Sequence, residues 1–378
     1  MNWLPAFTLG LLSGGAIVFI LFLFLRQDQE EMLSKKQKKD QRTKNIMLKA
    51  VQYRLTQGPE IVTIGGGTGL STLLAGLKSY TRNITAVVTV TDEGGSSGRL
   101  RNEWGVLPPG DIRNCLVSLA EHDSSLNSIL NFRFDRGQLA GHNLGNLILL
   151  ATTELTGDFR LAVEELNNLL AIRGRVLPVT TEAIIIAGQT SDGAIIRGEL
   201  EIADKGFKLE SVWIEPKDAR PVPDVIASLD VADVVVLGPG SLFTSILPNL
   251  LIKEVSEKLL KIPAPKVYIA NLMTQPGETT GMNILDHVEW VRRGLGDYPD
   301  YVIINTGKVP DKYLKPYRLS GADALLLDEK QEETLNQAGC KILKGDFLNI
   351  TMTGTIRHNT QKLAETIIKI VREVRENL

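Results

Sequence analysis

The chain has 378 residues, a formal net charge of −2 at pH 7 and two cysteines, Cys115 and Cys340. A chain of this length can bury a substantial core in one large domain or two smaller ones. The charge excludes a strongly basic nucleic-acid binder, and two cysteines are too few for a disulfide framework. We therefore expect a protein of a reducing, cytoplasmic environment that has no nucleic-acid partner.

Residues 1–25 are predicted to form a membrane anchor. Residues 7–25 carry no charge and are numerous enough, at about 1.5 Å per residue, to cross a hydrocarbon core of roughly 30 Å. A signal peptide and a buried core helix are the alternatives, but no basic segment precedes the apolar run and no clear cleavage site follows it. Basic residues cluster behind it, from Arg26 to Lys44. We therefore expect a single-pass protein of the inner or plasma membrane with a cytoplasmic globular domain.

Residues 26–58 are predicted to form a charged helical linker. The segment is rich in Lys, Gln and Glu and has no turn residues before Gly58 and Pro59. Its basic residues can lie in solvent or attract anionic lipid, at about 1 kcal/mol per residue near the surface. We expect this exposed helix to separate the membrane from one ligand-binding domain, residues 59–378.

Predicted strands and helices alternate beyond Glu60. The strands are expected at Ile61–Ile64, Ile84–Val90, Val234–Leu237, Val267–Asn271 and Tyr301–Asn305, and the helices at Leu70–Leu77, Leu144–Leu155, Arg160–Leu170, His287–Gly294 and Gln361–Val374. This alternation favours a doubly wound, mostly parallel Rossmann-like α/β sheet behind the transmembrane helix. A turn signal at residues 191–193, between β-branched runs, predicts a small antiparallel β insertion over residues 183–214.

The segment IVTIGGGTGLS, residues 61–71, predicts a strand, a glycine turn and a helix. Glycines let the backbone approach a ligand closely, and the N–H groups at a helix N-terminus attract an anion. The dinucleotide pattern G-x-G-x-x-G fails because Leu70 occupies the place of its third glycine, and the lysine of a Walker loop is absent. A tight turn without a ligand is the alternative. The residues expected to bind phosphate through backbone N–H groups are Gly65, Gly66, Gly67, Thr68 and Gly69.

Three further loops that follow predicted strands are rich in Gly, Ser, Thr and Asn. They are TDEGGSSGRLR at residues 91–101, GPGSLFTS at 238–245 and NLMTQPGET at 271–279. Ligands of open parallel sheets bind beyond the carboxyl ends of the strands, so we expect these three loops and GGGTGLS to surround one ligand site. Of the four, GGGTGLS, GPGSLFTS and NLMTQPGET are expected to line one cleft. Such a cleft suits an oxygen-rich anion, for example a nucleotide diphosphate. A second phosphate cradle is predicted at Gly238, Gly240, Ser241 and Thr244, and base or sugar contacts at Asn271, Thr274 and Gln275.

The acidic and basic residues near these loops have two interpretations each. Asp92 can accept from a sugar or ribose hydroxyl, hold Mg²⁺ together with phosphate, or cap a turn, and it is the best catalytic candidate if the protein is an enzyme. Asp111 is placed where a helix cap belongs. Arg113 can pair with phosphate or with Asp92. Arg357 can pair with a diphosphate or with a surface carboxylate.

The remaining candidates can bind a ligand or belong to the core. His142 and Asn146 share one predicted helical face, beside Asn143. Tyr317 can stack on a base or pack at the edge of the domain. Neither a metal-ligating Cys/His cluster nor a Ser/His/Asp pattern is evident in the sequence, so we expect no metal site built from protein ligands alone.

The order and spacing of seven segments resemble the gluconeogenesis-factor (YvcK-like) branch of the CofD-like family. The segments are GGGTGLS, TDEGGSSGRLR, GVLPPGDIRNCLVSLA (105–120), GHNLGNLILLATTELTGD (141–158), RGRVLPVTTE (173–182), GPGSLFTSILPNLL (238–251) and NLMTQPGET. The resemblance covers the chain from about Ile61 to the C-terminus. Two features depart from the family pattern: Glu93 follows Asp92 where Asp or Asn is usual, and many relatives lack the amino-terminal anchor.

The resemblance implies a regulatory function. The other branch, 2-phospho-L-lactate transferase, makes part of a deazaflavin cofactor. This branch is associated with growth on gluconeogenic carbon, cell shape and cell-wall synthesis, and with binding UDP-sugars, notably UDP-N-acetylglucosamine. We therefore expect a membrane-anchored UDP-sugar sensor, with a nucleotide-dependent transferase as the alternative; an NAD enzyme would explain only the first loop. A role for Mg²⁺, a cell-wall or regulatory protein partner and a homo-oligomer are left open by the sequence.

Overall fold

The structure is a computed structural model that describes residue 47, residues 49–121 and residues 125–376. The predicted anchor, residues 1–25, and most of the predicted linker lie outside the described residues. Residues 49–56, which belong to that linker, are helical. Among the described helices, none is both long enough and apolar enough to span a bilayer. The chain divides after Gln57 into two units, and the second, Gly58–Leu378, contains all the strands.

Strands and helices alternate through the second unit. The strands are β1 Ile61–Gly65, β2 Ile84–Val88, β3 Arg175–Pro178, β4 Ile185–Thr190, β5 Ile195–Arg197, β6 Leu209–Glu215, β7 Val234–Leu237, β8 Lys266–Ile269, β9 Tyr301–Asn305, β10 Lys341–Gly345, β11 Leu348–Ile350 and β12 Ile356–His358. The α-helices are α1 Gly67–Leu77, α2 Gly95–Trp104, α3 Gly110–Leu119, α4 Ser125–Asn131, α5 Leu144–Thr156, α6 Phe159–Leu169, α7 Glu199–Lys205, α8 Pro223–Asp230, α9 Leu247–Leu250, α10 Lys253–Lys261, α11 Ile284–Leu295, α12 Asp311–Leu319, α13 Glu329–Gln337 and α14 Thr360–Glu376. A 3-10 turn, Gly206–Lys208, follows α7, and a π-helix, Leu242–Ile246, precedes α9.

Seven strands form one parallel sheet in the order β10-β9-β8-β7-β1-β2-β3. Strands β1, β2, β7 and β9 are buried at every position, as expected for apolar runs in a sheet covered by helices on both faces. The strand order reverses between β1 and β7, because the chain runs outward from β1 to β3 on one side and from β7 to β10 on the other. Such a switch point leaves a crevice beyond the carboxyl ends of the strands.

The parallel Rossmann-like sheet and the antiparallel insertion predicted from the sequence are confirmed. The insertion is a three-stranded sheet in the order β5-β4-β6. Its predicted turn closes the β4–β5 hairpin, where the Thr190 N–H donates to the Ala194 carbonyl at 2.9 Å and Gly193 has φ +83°. The insertion also carries the short helix α7, which the sequence did not predict.

Candidate functional site

A cavity of about 430 Å³ lies beyond the carboxyl ends of β1, β7 and β8, at the strand switch point. We call it the switch-point cavity. The segments GGGTGLS, GPGSLFTS and NLMTQPGET all contribute to its lining, as the sequence predicts, and residues of α12 and β12 complete it. The prediction that TDEGGSSGRLR also surrounds this site is wrong, because no residue of that loop lines the cavity. The predicted ligand residues that line it are Gly66, Gly67, Thr68, Gly69, Gly240, Ser241, Asn271, Thr274, Gln275, Tyr317 and Arg357.

The two glycine loops of the cavity are packed backbone to backbone. Helix α1 begins at Gly67, directly after Gly66, so its N-terminus faces the cavity. A Cβ at Gly69 would lie 2.4 Å from the Pro239 carbonyl oxygen in the second loop, a distance that no real Cβ tolerates. Glycine at position 69 therefore permits the close approach of the loops, and the approach brings both sets of backbone N–H groups to one cavity.

The lining of the cavity also includes a cation. Arg357, in β12, lines the cavity, and no ion pair among residues 49–121 and 125–376 includes it. The Tyr317 hydroxyl accepts the Ile356 N–H at 3.1 Å, which ties α12 to β12. The surface ion pair considered for Arg357 from the sequence is thus not formed with any described carboxylate. A guanidinium and a helix N-terminus that line one cavity favour an anionic ligand.

Three carboxyl groups, from Asp92, Asp111 and Glu199, meet behind the first glycine loop. We call them the carboxylate cluster. The Asp111 carboxylate accepts the N–H of Gly67. Burial, and then the charge of Asp92, raises the pKa of Asp111 to about 7. The cluster therefore touches the backbone of the switch-point cavity, and the Gly67 N–H already has a protein partner.

Glu199 is the member of the cluster that the sequence did not predict. It begins α7, and its Oε2 accepts the Glu93 N–H at 2.6 Å. Burial, and then the charge of Asp92, raises the pKa of Glu199 to about 8, and the two side chains are hydrogen-bonded. At neutral pH most Glu199 carboxyl groups are therefore protonated. The sequence signal for Glu199 is a glutamate that directly follows Gly198. The position of its side chain could not be predicted, because it depends on how the insertion packs against the rest of the domain.

Arg113, His142 and Asn146 belong to a separate polar network that does not line the cavity. Arg113 Nε donates to Asn146 Oδ1 at 3.1 Å, and Asn146 Nδ2 donates to Ser96 Oγ at 3.2 Å. Ser96 Oγ also lies 3.2 Å from His142 Nδ1. Asn143 caps α5 by accepting the Asn146 N–H. Burial, and then the charge of Arg99, lowers the pKa of His142, so its ring is neutral at pH 7.

Three predicted phosphate contacts also lie outside the cavity lining. Gly65 is the last residue of β1, and its carbonyl accepts the Thr89 N–H at 3.0 Å. The Gly238 N–H donates to the Ile64 carbonyl at 2.9 Å. The Thr244 N–H donates to Glu278 Oε1 at 3.3 Å. The polar backbone groups named here are thus bonded within the protein.

Comparison with known proteins identifies relatives over most of the chain. Residues 61–348 match the family described as 2-phospho-L-lactate transferase CofD. The gluconeogenesis factor of Bacillus subtilis is 41% identical over 319 residues, which cover 84% of this chain and 99% of that protein. The gluconeogenesis factor of Listeria monocytogenes is 39% identical over 315 residues, which cover 83% of this chain and 96% of that protein.

A solved structure also shares the fold. The crystal structure of a Bacillus halodurans protein, 40% identical in sequence, matches with a TM-score of 0.79. The match covers 82% of this chain and 99% of that one. The similarity therefore extends across nearly the whole of the solved protein, both in sequence and in fold.

Proposed function

This chain belongs to the gluconeogenesis-factor (YvcK-like) branch of the CofD family, and we propose that it is a regulatory protein that binds a UDP-sugar in the switch-point cavity. One observation carries the proposal: the cavity brings the N-terminus of α1, a second glycine loop and the unpaired Arg357 guanidinium to the same space. These groups complement a diphosphate. The volume of about 430 Å³ is within the usual range of ligand pockets.

The walls of the cavity suit the other parts of a sugar nucleotide. Asn271 and Gln275 offer amide groups to a base or sugar edge, and the Tyr317 ring can stack on a base. The Thr274 hydroxyl lines the cavity but accepts the Asp323 N–H at 2.8 Å. In this proposal the diphosphate lies between α1 and Arg357. The family resemblance favours UDP-N-acetylglucosamine as the ligand.

We propose that the protein acts at the inner or plasma membrane. The uncharged residues 7–25 and the basic residues behind them support a single-pass anchor with the domain in the cytoplasm. The ligand would report the supply of wall precursors, and a cell-wall synthesis or regulatory protein would receive the signal. The protein would thereby link carbon metabolism to cell-wall synthesis and cell shape.

Mg²⁺ fits this site only together with a phosphate ligand. Among the described residues, no group of three or more His, Cys, Asp or Glu side chains is arranged to hold a metal. Asp92 and Asp111 nevertheless supply hard oxygen ligands beside the Gly67 backbone. Mg²⁺ is commonly held by one or two carboxylates and substrate phosphates, so this pair would hold it and the ion would neutralise phosphate charge.

The carboxylate cluster favours a second candidate function, that of a nucleotide-dependent transferase. Asp92 is hydrogen-bonded to Glu199, and paired carboxyl groups are a common acid-base arrangement. The family description, 2-phospho-L-lactate transferase, agrees with this alternative. A transferase would also need a pocket for a second substrate.

Prolonged incubation with a UDP-sugar, Mg²⁺ and a panel of acceptors separates the two candidates. A sensor returns the ligand chemically intact, in the amount added, as measured by ion-exchange chromatography. Product that accumulates with the wild type but not with Asp92→Asn would establish the transferase. The variant should still bind the ligand almost as tightly as the wild type, because a group that acts in the transition state contributes little to ground-state affinity.

A further inference from the structure

Glu278 lies buried beneath the switch-point cavity without lining it. Its Oε1 accepts the N–H of Phe243 at 2.8 Å and that of Thr244 at 3.3 Å, both in the π-helix that follows the second glycine loop. The Ser241 hydroxyl, which precedes this helix, lies close enough to the Glu278 carboxyl to lower its pKa. Glu278 therefore joins the loop after β8 to the loop after β7.

The Ser241 hydroxyl has one proton, which it can donate either to the Glu278 carboxylate or to a phosphate oxygen in the cavity. Its oxygen lines the cavity and accepts Gln275 Nε2–H at 2.7 Å, which occupies one of its two lone pairs. An ionised Glu278 can only accept, so it takes the hydroxyl proton. A protonated Glu278 can instead donate to the second lone pair of Ser241. The hydroxyl proton is then free for a phosphate oxygen in the cavity.

Burial dominates the ionisation of Glu278 and raises its pKa to about 7, against the opposing effect of its hydrogen bonds. Tyr268 of β8 is buried nearby, and its own pKa is raised by burial and then by the Glu278 charge. The Tyr268 hydroxyl lies 3.4 Å from Nδ1 of His287 in α11. Burial lowers the pKa of His287 to about 4, so that ring is neutral. Neither group supplies a cation.

The insertion is the other element that packs on this loop. The Gly206 backbone contacts the backbone of Glu278, and the Asp204 backbone contacts Gly277. The acidic and basic side chains at this contact belong to Asp204 and Lys205. Among the described residues, no ion pair includes Glu278, so no cation holds it in the ionised form.

We propose that Glu278 is a positioning residue of the switch-point cavity: when ionised it holds the Ser241 proton, and when protonated it releases that proton toward a phosphate oxygen. Binding of a phosphate-bearing ligand then takes up a proton from solvent onto the Glu278 carboxyl, and no covalent bond changes. This inference rests on the proposed function, because it requires the phosphates of the ligand to enter this cavity.

The test is calorimetric titration of the full chain with UDP-N-acetylglucosamine in two buffers that differ in ionisation enthalpy. The diphosphate diester of this probe does not titrate near neutral pH, so proton uptake reports the protein. For the wild type at pH 7.5 we expect uptake of a fraction of a proton, and a loss of affinity of up to about tenfold per pH unit above pH 7. Glu278→Gln can donate N–H to Ser241 permanently. It should take up no proton and bind at pH 8 at least as tightly as the wild type.

Glu60→Gln is the matched control. Glu60 also has a raised pKa, from burial and then from Asp233, but it precedes the opposite end of β1 and does not line the cavity. Its proton uptake should equal that of the wild type. Uptake that persists undiminished in Glu278→Gln, or binding by the wild type without any uptake, would overturn the inference.

Two further outcomes are distinguishable. If Glu278→Gln does not fold, Ser241→Ala replaces it, because it keeps the carboxyl and removes the contested hydroxyl; uptake equal to that of the wild type in this variant would overturn the inference. Failure of the wild type to bind the probe at any pH would reject the proposed function itself, and the inference with it.

Discussion

At the scale of single residues, two kinds of group surround the switch-point cavity: polar side chains such as Arg357 line it, and acids such as Glu199 and Glu278 lie outside its lining. Arg357 lies within β12, which pairs with β11 outside the parallel sheet. The glycines after β1 follow a strand directly, so their placement at the carboxyl edge of that sheet could be predicted. Glu199 and Glu278 could not, because their neighbours are set by the packing of the insertion and of the loop after β8. His142 was left open between ligand and core, and it lies buried in a polar network away from the cavity lining.

The buried acids predict an unusual pH dependence of stability. Glu278 has a folded-state pKa near 7, above its ordinary value of 4.5, so the folded state binds the proton more tightly. The contribution of Glu278 to the free energy of unfolding is therefore largest below pH 4.5 and is lost as the pH rises through 7. Asp111 and Glu199 act in the same direction. We expect the free energy of unfolding in urea to fall between pH 5 and pH 8.

The variant Glu278→Gln isolates one of these groups. Between pH 5 and pH 8 its free energy of unfolding should fall by roughly 2 kcal/mol less than that of the wild type. Glu257→Gln, at an exposed side chain on α10, should follow the wild type. A wild-type stability that is constant or rises over this range would contradict the assignment of raised pKa values to the buried acids.

At the scale of elements, the buried strands were predictable and the sheet edges were not. The five predicted strands are present as β1, β2, β7, β8 and β9. The edge strand β10 has a single neighbour and is half exposed, with lysines at Lys341 and Lys344, so it lacks an apolar run. Helix α11 begins at Ile284 rather than at the predicted His287, because Asn283 and Asp286 form a capping box that adds a first turn.

Gly69→Ala tests the backbone contact between the glycine loops. The new Cβ would lie 2.4 Å from the Pro239 carbonyl oxygen, so the loops must separate. We expect a loss of stability of about 1–3 kcal/mol, the usual range for overpacking, and UDP-sugar affinity weakened at least tenfold. Gly65→Ala is the control, since its nearest contact would be an ordinary 3.7 Å. Equal affinities for the two variants and the wild type would show that the loops need not touch.

At the scale of the whole molecule, the Rossmann-like core could be predicted because its strands are local apolar runs in alternation with helices. The order of the strands in the sheet could not be predicted, because it depends on the side of the sheet to which each helical connection carries the chain. The observed order places the glycine loops of β1 and β7 side by side, although the strands are more than a hundred residues apart in the chain. The anchor predicted over residues 1–25 lies outside the described residues and stays a prediction.

Removal of residues 1–57 should leave a folded, soluble domain. The unit Gly58–Leu378 contains the complete sheet, and 84% of this chain covers 99% of the Bacillus subtilis relative. We expect the fragment to elute as a defined species in gel filtration and to unfold cooperatively, within a few degrees of the full chain. Aggregation or the absence of a thermal transition would show that the removed residues are needed for folding.

The orientation of the predicted anchor is testable by protease protection. The basic residues behind the apolar run predict a cytoplasmic domain. Protease added to intact spheroplasts should leave the domain whole and should cleave it only after lysis of the inner membrane. Cleavage before lysis would place the domain outside.

The measurement that tests the central claim most directly is a calorimetric titration of UDP-N-acetylglucosamine into the wild type and Arg357→Ala. The Arg357 guanidinium lines the same cavity as the two glycine loops, so its removal should weaken binding about ten- to a hundredfold, the equivalent of roughly 1.5–3 kcal/mol for a hydrogen bond to a charged group. Arg136→Ala, at a side chain that is 95% exposed and outside the cavity lining, should bind like the wild type. Equal affinity of Arg357→Ala and the wild type, or no binding to either, would contradict a UDP-sugar site in the switch-point cavity.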